Sequence, residues 1–327
     1  MSNADAVHTW SSLEEQVDAL VHVTLSLLDN KQEYVVVTTS TLEGNDWSSS
    51  VRLLAFDPST GHIDHIHAFR LPTTAGALTW HAASSLLVVG GDDGDLYFLT
   101  FDCTLMKWTR VLPPHADSIG HDDLITSVDA STSTFASGSW DLAVKLWDVE
   151  ALALTETLQG HCDKVWAVQW QPQSTSVLAS ASQDRTVRLW DVRTPSQATT
   201  TTVLSTPYAT LSLTWQPHND HGITAGLEDG SIYTFDMRSP HAPSSILANQ
   251  HAGCVYGVKY NDEGTSLASY GDDAAVHLYS VETDKVAQLP RYSYTMHTDY
   301  VRGFAWLGQA KWAVSSSFDK SVHFWQL

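Results

Sequence analysis

Four histidines recur at matching places in the chain, each followed by an aspartate: His121 with Asp141, His161 with Asp184, His251 with Asp273 and His297 with Asp319. A histidine and an aspartate beside a hydroxyl can activate a nucleophile. A single pair would invite that reading. The same pair repeated along a chain is structural, a network that stiffens a fold when every member is satisfied. His161-Cys162 suggests a thiol nucleophile, but the repeat already accounts for His161. His62, His65 and His67 form a small cluster, and strand alternation puts the last two on one face, where a metal could bind. A metal needs more ligands and a supporting shell, so an exposed strand is the expectation. The run Gly90-Gly91-Asp92-Asp93-Gly94-Asp95 resembles part of a calcium loop but lacks its glutamate and spacing. Its composition is that of a tight turn. There is no Gly-rich phosphate loop, no GxSxG and no HExxH. No catalytic residue, cofactor or metal is therefore expected.

The elements that carry these residues also repeat. An aromatic-Asp pair recurs as Phe56-Asp57, Phe101-Asp102, Trp147-Asp148, Trp190-Asp191 and Phe235-Asp236, with degenerate copies at Tyr279-Ser280 and Trp325-Gln326. The aromatics are 45, 46, 43, 45, 44 and 46 residues apart. That is the WD-repeat period of about 40–45 residues, with four strands per unit. The lead-in to each pair alternates apolar with polar, as in Val187-Arg188-Leu189-Trp190, which is the pattern of a half-buried strand. Six residues before the aromatic stands an aspartate in six of seven copies: Asp95, Asp141, Asp184, Asp229, Asp273 and Asp319; the first copy has Ser50. An aspartate in a tight turn can hold the histidine that enters the same unit, and that histidine can reach a strand hydroxyl and the Trp indole. The chain stops one strand short of a complete last unit, so a segment within 6–13 is expected to supply it. The fold class is all-β, a seven-bladed propeller spanning 1–327 as one domain, its edges removed by closure. Inter-blade loops are expected at Arg110–Gly120 and Ser196–Thr206.

Composition narrows the function classes. Acidic residues number 37 against 17 basic, a net charge of −20 with histidine neutral. Such a chain repels phosphate backbones and anionic lipid and attracts basic partners. Direct nucleic-acid or membrane binding is not expected. Three scattered cysteines without zinc spacing, and no secretory leader, point to reduced thiols in cytoplasm and nucleus.

What remains is recognition. Aligning blades by their histidines picks out the fifth residue after each and the residue before the turn aspartate. These are Thr126 and Trp140, Trp166 and Gln183, Tyr256 and Asp272, Arg302 and Phe318. They are placed near the mouth of the central channel. Trp140, Trp166, Tyr256, Arg302 and Phe318 are of the types enriched in binding hot spots. A second candidate lies in the first unit, where Ser40–Ser50 forms a long polar loop with Trp47 at its tip. A Trp there has little core of its own, and burying its ~150–250 Å² on a partner would drive association.

At this loop the chain resembles a known family. The run Ser40-Thr41-Leu42-Glu43-Gly44-Asn45-Asp46-Trp47-Ser48-Ser49-Ser50 looks like the first-blade loop of the methylosome protein 50 family, WD-repeat partners of the type II protein arginine methyltransferase. The segments starting at His121-Asp122-Asp123-Leu124 and His297-Thr298-Asp299-Tyr300 are similar to that family's blade openings. The resemblance covers the whole chain. It implies a non-catalytic adaptor in an equimolar hetero-oligomer, with Trp47 inserted into the methyltransferase and Leu42, Glu43, Asn45, Asp46 and Ser48 around it. It also implies presentation of basic substrates such as histone tails and Sm proteins. The family has a basic residue where this chain has Asn45. The alternative reading is a peptide-binding scaffold at the channel mouth, such as a ubiquitin-ligase substrate receptor or a peroxisomal import receptor.

Overall fold

In the computed structural model the described residues are 7–12, 14–25, 32–43, 46–112, 120–172, 174–193, 200–282, 285–308 and 311–327. They form seven antiparallel sheets, each entered by an inner strand: Gln16–Val23, Ala77–His81, Ile125–Ala130, Val165–Trp170, Thr210–Trp215, Val255–Tyr260 and Val301–Leu307. Six sheets have four strands; the sixth blade has a fifth, short strand. The last blade takes its outer strand from the start of the chain. Val7–Ser11 pairs with Ser321–Gln326, from Val7 opposite Trp325 to Ser11 opposite Ser321. The expected closing strand is therefore present, and the ring leaves no open seam.

The core is divided among the blade-to-blade contacts rather than gathered at one centre. Seven buried clusters each join two neighbouring blades. Trp190, for example, packs with Ala136, Val144 and Leu146 of the preceding blade. At the seam Phe56 of the first blade stacks on Phe324 of the last, ring centroids 4.5 Å apart. Burying aromatic and branched side chains on both faces of every sheet is what holds the ring together.

In blades two to seven the turn between second and third strands has one chemistry. The carboxylate accepts from the backbone N–H two residues on, at 3.0 Å in Asp141 to Ala143 and in Asp184 to Thr186. The intervening residue is left-handed: Leu142 at φ 72°, Arg185 at 63°, Lys320 at 72°. Asx geometry of this kind makes the tight turn without a glycine.

The first two blades depart from the expected spacing. Phe135 pairs with Trp147 and Leu178 with Trp190, but the corresponding pairs are Val35 with Leu54 and Leu87 with Leu99. The aromatic position is thus filled by Leu54 and Leu99, two residues before Phe56 and Phe101. Their third strands run on past these leucines to Asp57 and Asp102, and the turn aspartate of blade two is Asp93, not Asp95. Asp95 N–H donates to Asp93 at 3.1 Å, and Gly94 is the left-handed residue, φ 83°. The Asp that follows the aromatic still caps the next turn in all five copies, as when Glu150 N–H donates to Asp148 at 2.8 Å and Ser59 N–H to Asp57 at 2.8 Å.

The run Ser40–Ser50 is not a loop but the end of a β-hairpin. Strands Glu33–Glu43 and Asp46–Asp57 have 11 and 12 residues, whereas the second strands of the other blades have five or six. Beyond Thr39 opposite Ser50, the position of the usual turn, four more pairs form, ending with Leu42 opposite Trp47 and Glu43 opposite Asp46.

Candidate functional site

The repeated Asp–His pairs assemble as complete networks in blades three, four and seven. In blade four the His161 ring meets Asp184 through Nδ1 at 2.8 Å and Ser180 Oγ through Nε2 at 2.6 Å, and Trp190 Nε1–H donates to the same Oγ at 2.8 Å. Blade three repeats this with His121, Asp141, Ser137 and Trp147, and blade seven with His297, Asp319, Ser315 and Trp325. The histidine reaches the indole through the serine rather than directly. One proton arrangement satisfies every member: Trp donates to Ser, Ser to His Nε2, and His Nδ1–H to the carboxylate. Partial burial would raise the Asp141 carboxyl, but the bonds from His121 and two backbone amides outweigh it and hold it at about 2. In blade six Tyr279 stands at the Trp position and donates instead to Gln250, at 3.2 Å.

These networks leave no chemistry over. Both nitrogens of His161 are engaged, so it is no base for the exposed Cys162. His65 and His67 do not share a face. A bulge at Ile66 sets His65 opposite Leu54 and His67 opposite Leu53, adjacent residues that point opposite ways. His62 pairs with Asp64 at 2.9 Å, and His67 accepts from Trp108 N–H at 3.3 Å. Among the described residues His251, Asp273 and His277 come close enough to share an ion, but His251 already bonds Asp273 and Ser269.

The binding candidates converge elsewhere. A cavity of about 590 Å³ runs along the axis, lined by the inner strands, and Trp140, Trp166, Tyr256, Arg302 and Phe318 all border it. Trp140 and Trp166 meet edge to face at 5.5 Å, with Lys164 Nζ 3.5 Å from the Trp140 ring. Trp166 Nε1–H donates to Gln183 at 2.8 Å. Arg302 lies over Tyr256 at 4.3 Å and Phe318 at 5.4 Å. Cation–π contact of this kind holds the guanidinium against the rings at the rim, with both half-buried.

A β-bulge explains why these residues face the channel. In six inner strands the ladder skips one residue, after the second pair in blade one and after the first pair in the others: Asp18, Thr126, Trp166, Leu211, Tyr256 and Arg302. The extra residue bends the strand and turns its side chain into the cavity. Asp18 and Leu211 escaped the count from the opening histidine, because blades one and five have none. A pattern of their own marks them: apolar, any residue, small, apolar, as in Val17-Asp18-Ala19-Leu20 and Thr210-Leu211-Ser212-Leu213, where the threonine is fully buried. The small residue is a steric requirement, since a Cβ on Gly303 would come within 2.7 Å of Leu20 Cβ. Asp18 is 9% exposed, and burial pushes its carboxyl up to about 7.

At the hairpin, Arg70 Nη2–H donates to Ser48 Oγ at 3.1 Å. The side chains of Leu42, Glu43, Asp46 and Trp47, and Gly44 and Asn45 entirely, lie outside the described residues.

Segments 112–148, 153–191 and 288–326 match the WD40 family, described as WD domain, G-beta repeat. A stretch of 95 residues is 32% identical to an F-box/WD-40 repeat-containing protein of Arabidopsis thaliana, covering 27% of this chain and 17% of that protein. Another of 79 residues is 33% identical to the APC/C activator protein CDC20 of Saccharomyces cerevisiae, covering 23% of this chain and 12% of that one. The matches therefore span less than a fifth of either relative. The WD40 β-propeller domain of Doa1 superposes with a TM-score of 0.75 over 98% of this chain and 95% of its own, at 20% identity, a likeness of fold.

Proposed function

We propose, from the premise that this chain is a seven-bladed β-propeller of WD40 repeats, that it is a non-catalytic docking platform, and that its principal partner is a type II protein arginine methyltransferase. The observation that carries this is the first-blade hairpin, which runs four residue pairs past the point where the other blades turn. A paired hairpin holds its tip at a fixed distance from the ring, so an aromatic there is presented at low entropic cost. Trp47 is the anchor, and Leu42 to Ser48 surround it. The net charge of −20 supports attraction of basic substrates such as histone tails and Sm proteins. Tagged wild type and Trp47→Ala, matched in thermal melt, are compared by co-purification from native lysate. Wild type brings down the methyltransferase, and the variant loses roughly 30-fold in affinity, about 2 kcal/mol. Equal capture by both removes the anchor; capture by neither removes the adaptor role.

A second reading has its own support. Five rim residues picked from sequence border one cavity, which suits a scaffold that reads a peptide at the channel mouth. On this reading the chain is a ubiquitin-ligase substrate receptor or a peroxisomal import receptor.

A further inference from the structure

The ring of bulged residues is not uniform around the channel. Blades four, five and six contribute Trp166, Leu211 and Tyr256, an apolar arc. Blades seven and one contribute Arg302 and Asp18, side by side across the seam where the chain closes. Both border the same cavity. Asp18 Oδ1 accepts from Gln16 at 3.1 Å, but Oδ2 is buried and unpartnered, and so is Nε of Arg302. A buried carboxylate oxygen and a buried guanidinium N–H, each without a partner, are costly to leave unmade.

The two orphans limit what can satisfy them. A cationic group reaching Asp18 would be repelled by Arg302. An anion reaching Arg302 would be repelled by Asp18 in its ionised form, the form an amide N–H favours. A neutral group that donates one hydrogen bond and accepts another, side by side, satisfies both, and the amide is that group. We propose that the channel mouth takes an extended peptide segment of a partner protein, which donates an amide N–H to Asp18, accepts at the neighbouring C=O from Arg302, and lays an apolar side chain against Trp166 and Leu211. A cavity of about 590 Å³ lies within the usual size range for such sites. The inference rests on the reading of the channel mouth as a peptide-binding face and specifies its polar anchor.

The test is a random twelve-residue peptide library displayed on phage and panned on the immobilised full chain. Enriched peptides are then synthesised and measured against wild type, Asp18→Leu, Arg302→Met and Trp166→Ala. Leucine already stands at the same bulge in blade five, as Leu211, so Asp18→Leu keeps the fold; a matched thermal melt verifies each variant. Peptides are expected to bind wild type and to lose about 10-fold on either Asp18→Leu or Arg302→Met. An amide-to-ester replacement at one peptide position, which deletes a single N–H, is expected to cost a similar factor on wild type and nothing further on Asp18→Leu. Peptides that lose affinity on Trp166→Ala but ignore the other two variants overturn the amide anchor and leave the peptide-binding face standing. Peptides indifferent to all three variants, or no enrichment, overturn both.

Discussion

Asp184 accepts from His161, from Thr186 and from the backbone of Cys162 while its side chain is 8% exposed. Burial alone would raise its pKa, but the His161 ring and the Thr186 hydroxyl outweigh it and hold the carboxyl well below its ordinary 3.8. The folded form therefore gives up its proton at lower pH than the unfolded chain. Its contribution to stability is complete above the unfolded value and is lost as pH falls through the folded one. Asp184→Asn is expected to cost about 2–4 kcal/mol at neutral pH, because it strips a charged partner from a buried network. Urea unfolding checks this. The gap between variant and wild type should close as both are taken below the usual carboxylate range; a gap that stays constant would mean the loss is one of packing. That these pairs are structural could be read from sequence, because recurrence at fixed spacing separates a scaffold device from a single reactive site. The bridging role of Ser180 was overlooked, although a serine stands ten residues before the aromatic in all four blades that have such a pair, as Ser137, Ser180, Ser269 and Ser315.

Among the elements, the strand with the greatest leverage is Val7–Ser11. It supplies the outer ladder of the last blade, and its own Trp10 packs against the seam cluster. Deleting residues 1–12 exposes the edge of Ser321–Gln326, an open template for pairing with another chain. The melting temperature should fall by roughly 5–10 °C, and size-exclusion chromatography should show oligomers. An unchanged monomer with an unchanged melt would remove the strand from any role in closure. The blade count and the need for this strand were legible, because the period and the missing last strand are matters of arithmetic. The register of the first two blades was not. Phe56 and Phe101 keep the period and keep their capping aspartates, yet the packing position falls two residues earlier, at Leu54 and Leu99, with the third strands running on past it. The hairpin was legible as an irregularity but not as paired strand, since its serines and threonines give no apolar alternation. Asp18 was missed because the rule used to find the channel rim was tied to a histidine that blade one lacks.

At the scale of the whole molecule, 37 acidic residues on a closed ring make a field that favours basic partners. Screening shortens its reach from about 10 Å at 0.1 M salt to about 3 Å at 1 M. Affinity for a synthetic Arg-rich Sm-type tail should fall by about 10-fold or more across that range, as isothermal titration would register. A salt-independent affinity would assign binding to local contacts alone. The charge could be read directly from composition; how the core is divided could not, because seven blade-to-blade clusters of similar make-up look in sequence like one hydrophobic content. The closing pair has a consequence in time. Val7 lies opposite Trp325, which is made 318 residues later. At about 5–20 residues per second of synthesis, the first strand waits roughly a quarter of a minute to a minute for its partner to exist. The earlier blades can form and stack as they emerge, but the ring cannot close until Ser321–Gln326 has been made. Every copy passes through an open, unclosed state, and how long that state lasts in the cell decides how much of the protein ever becomes a propeller.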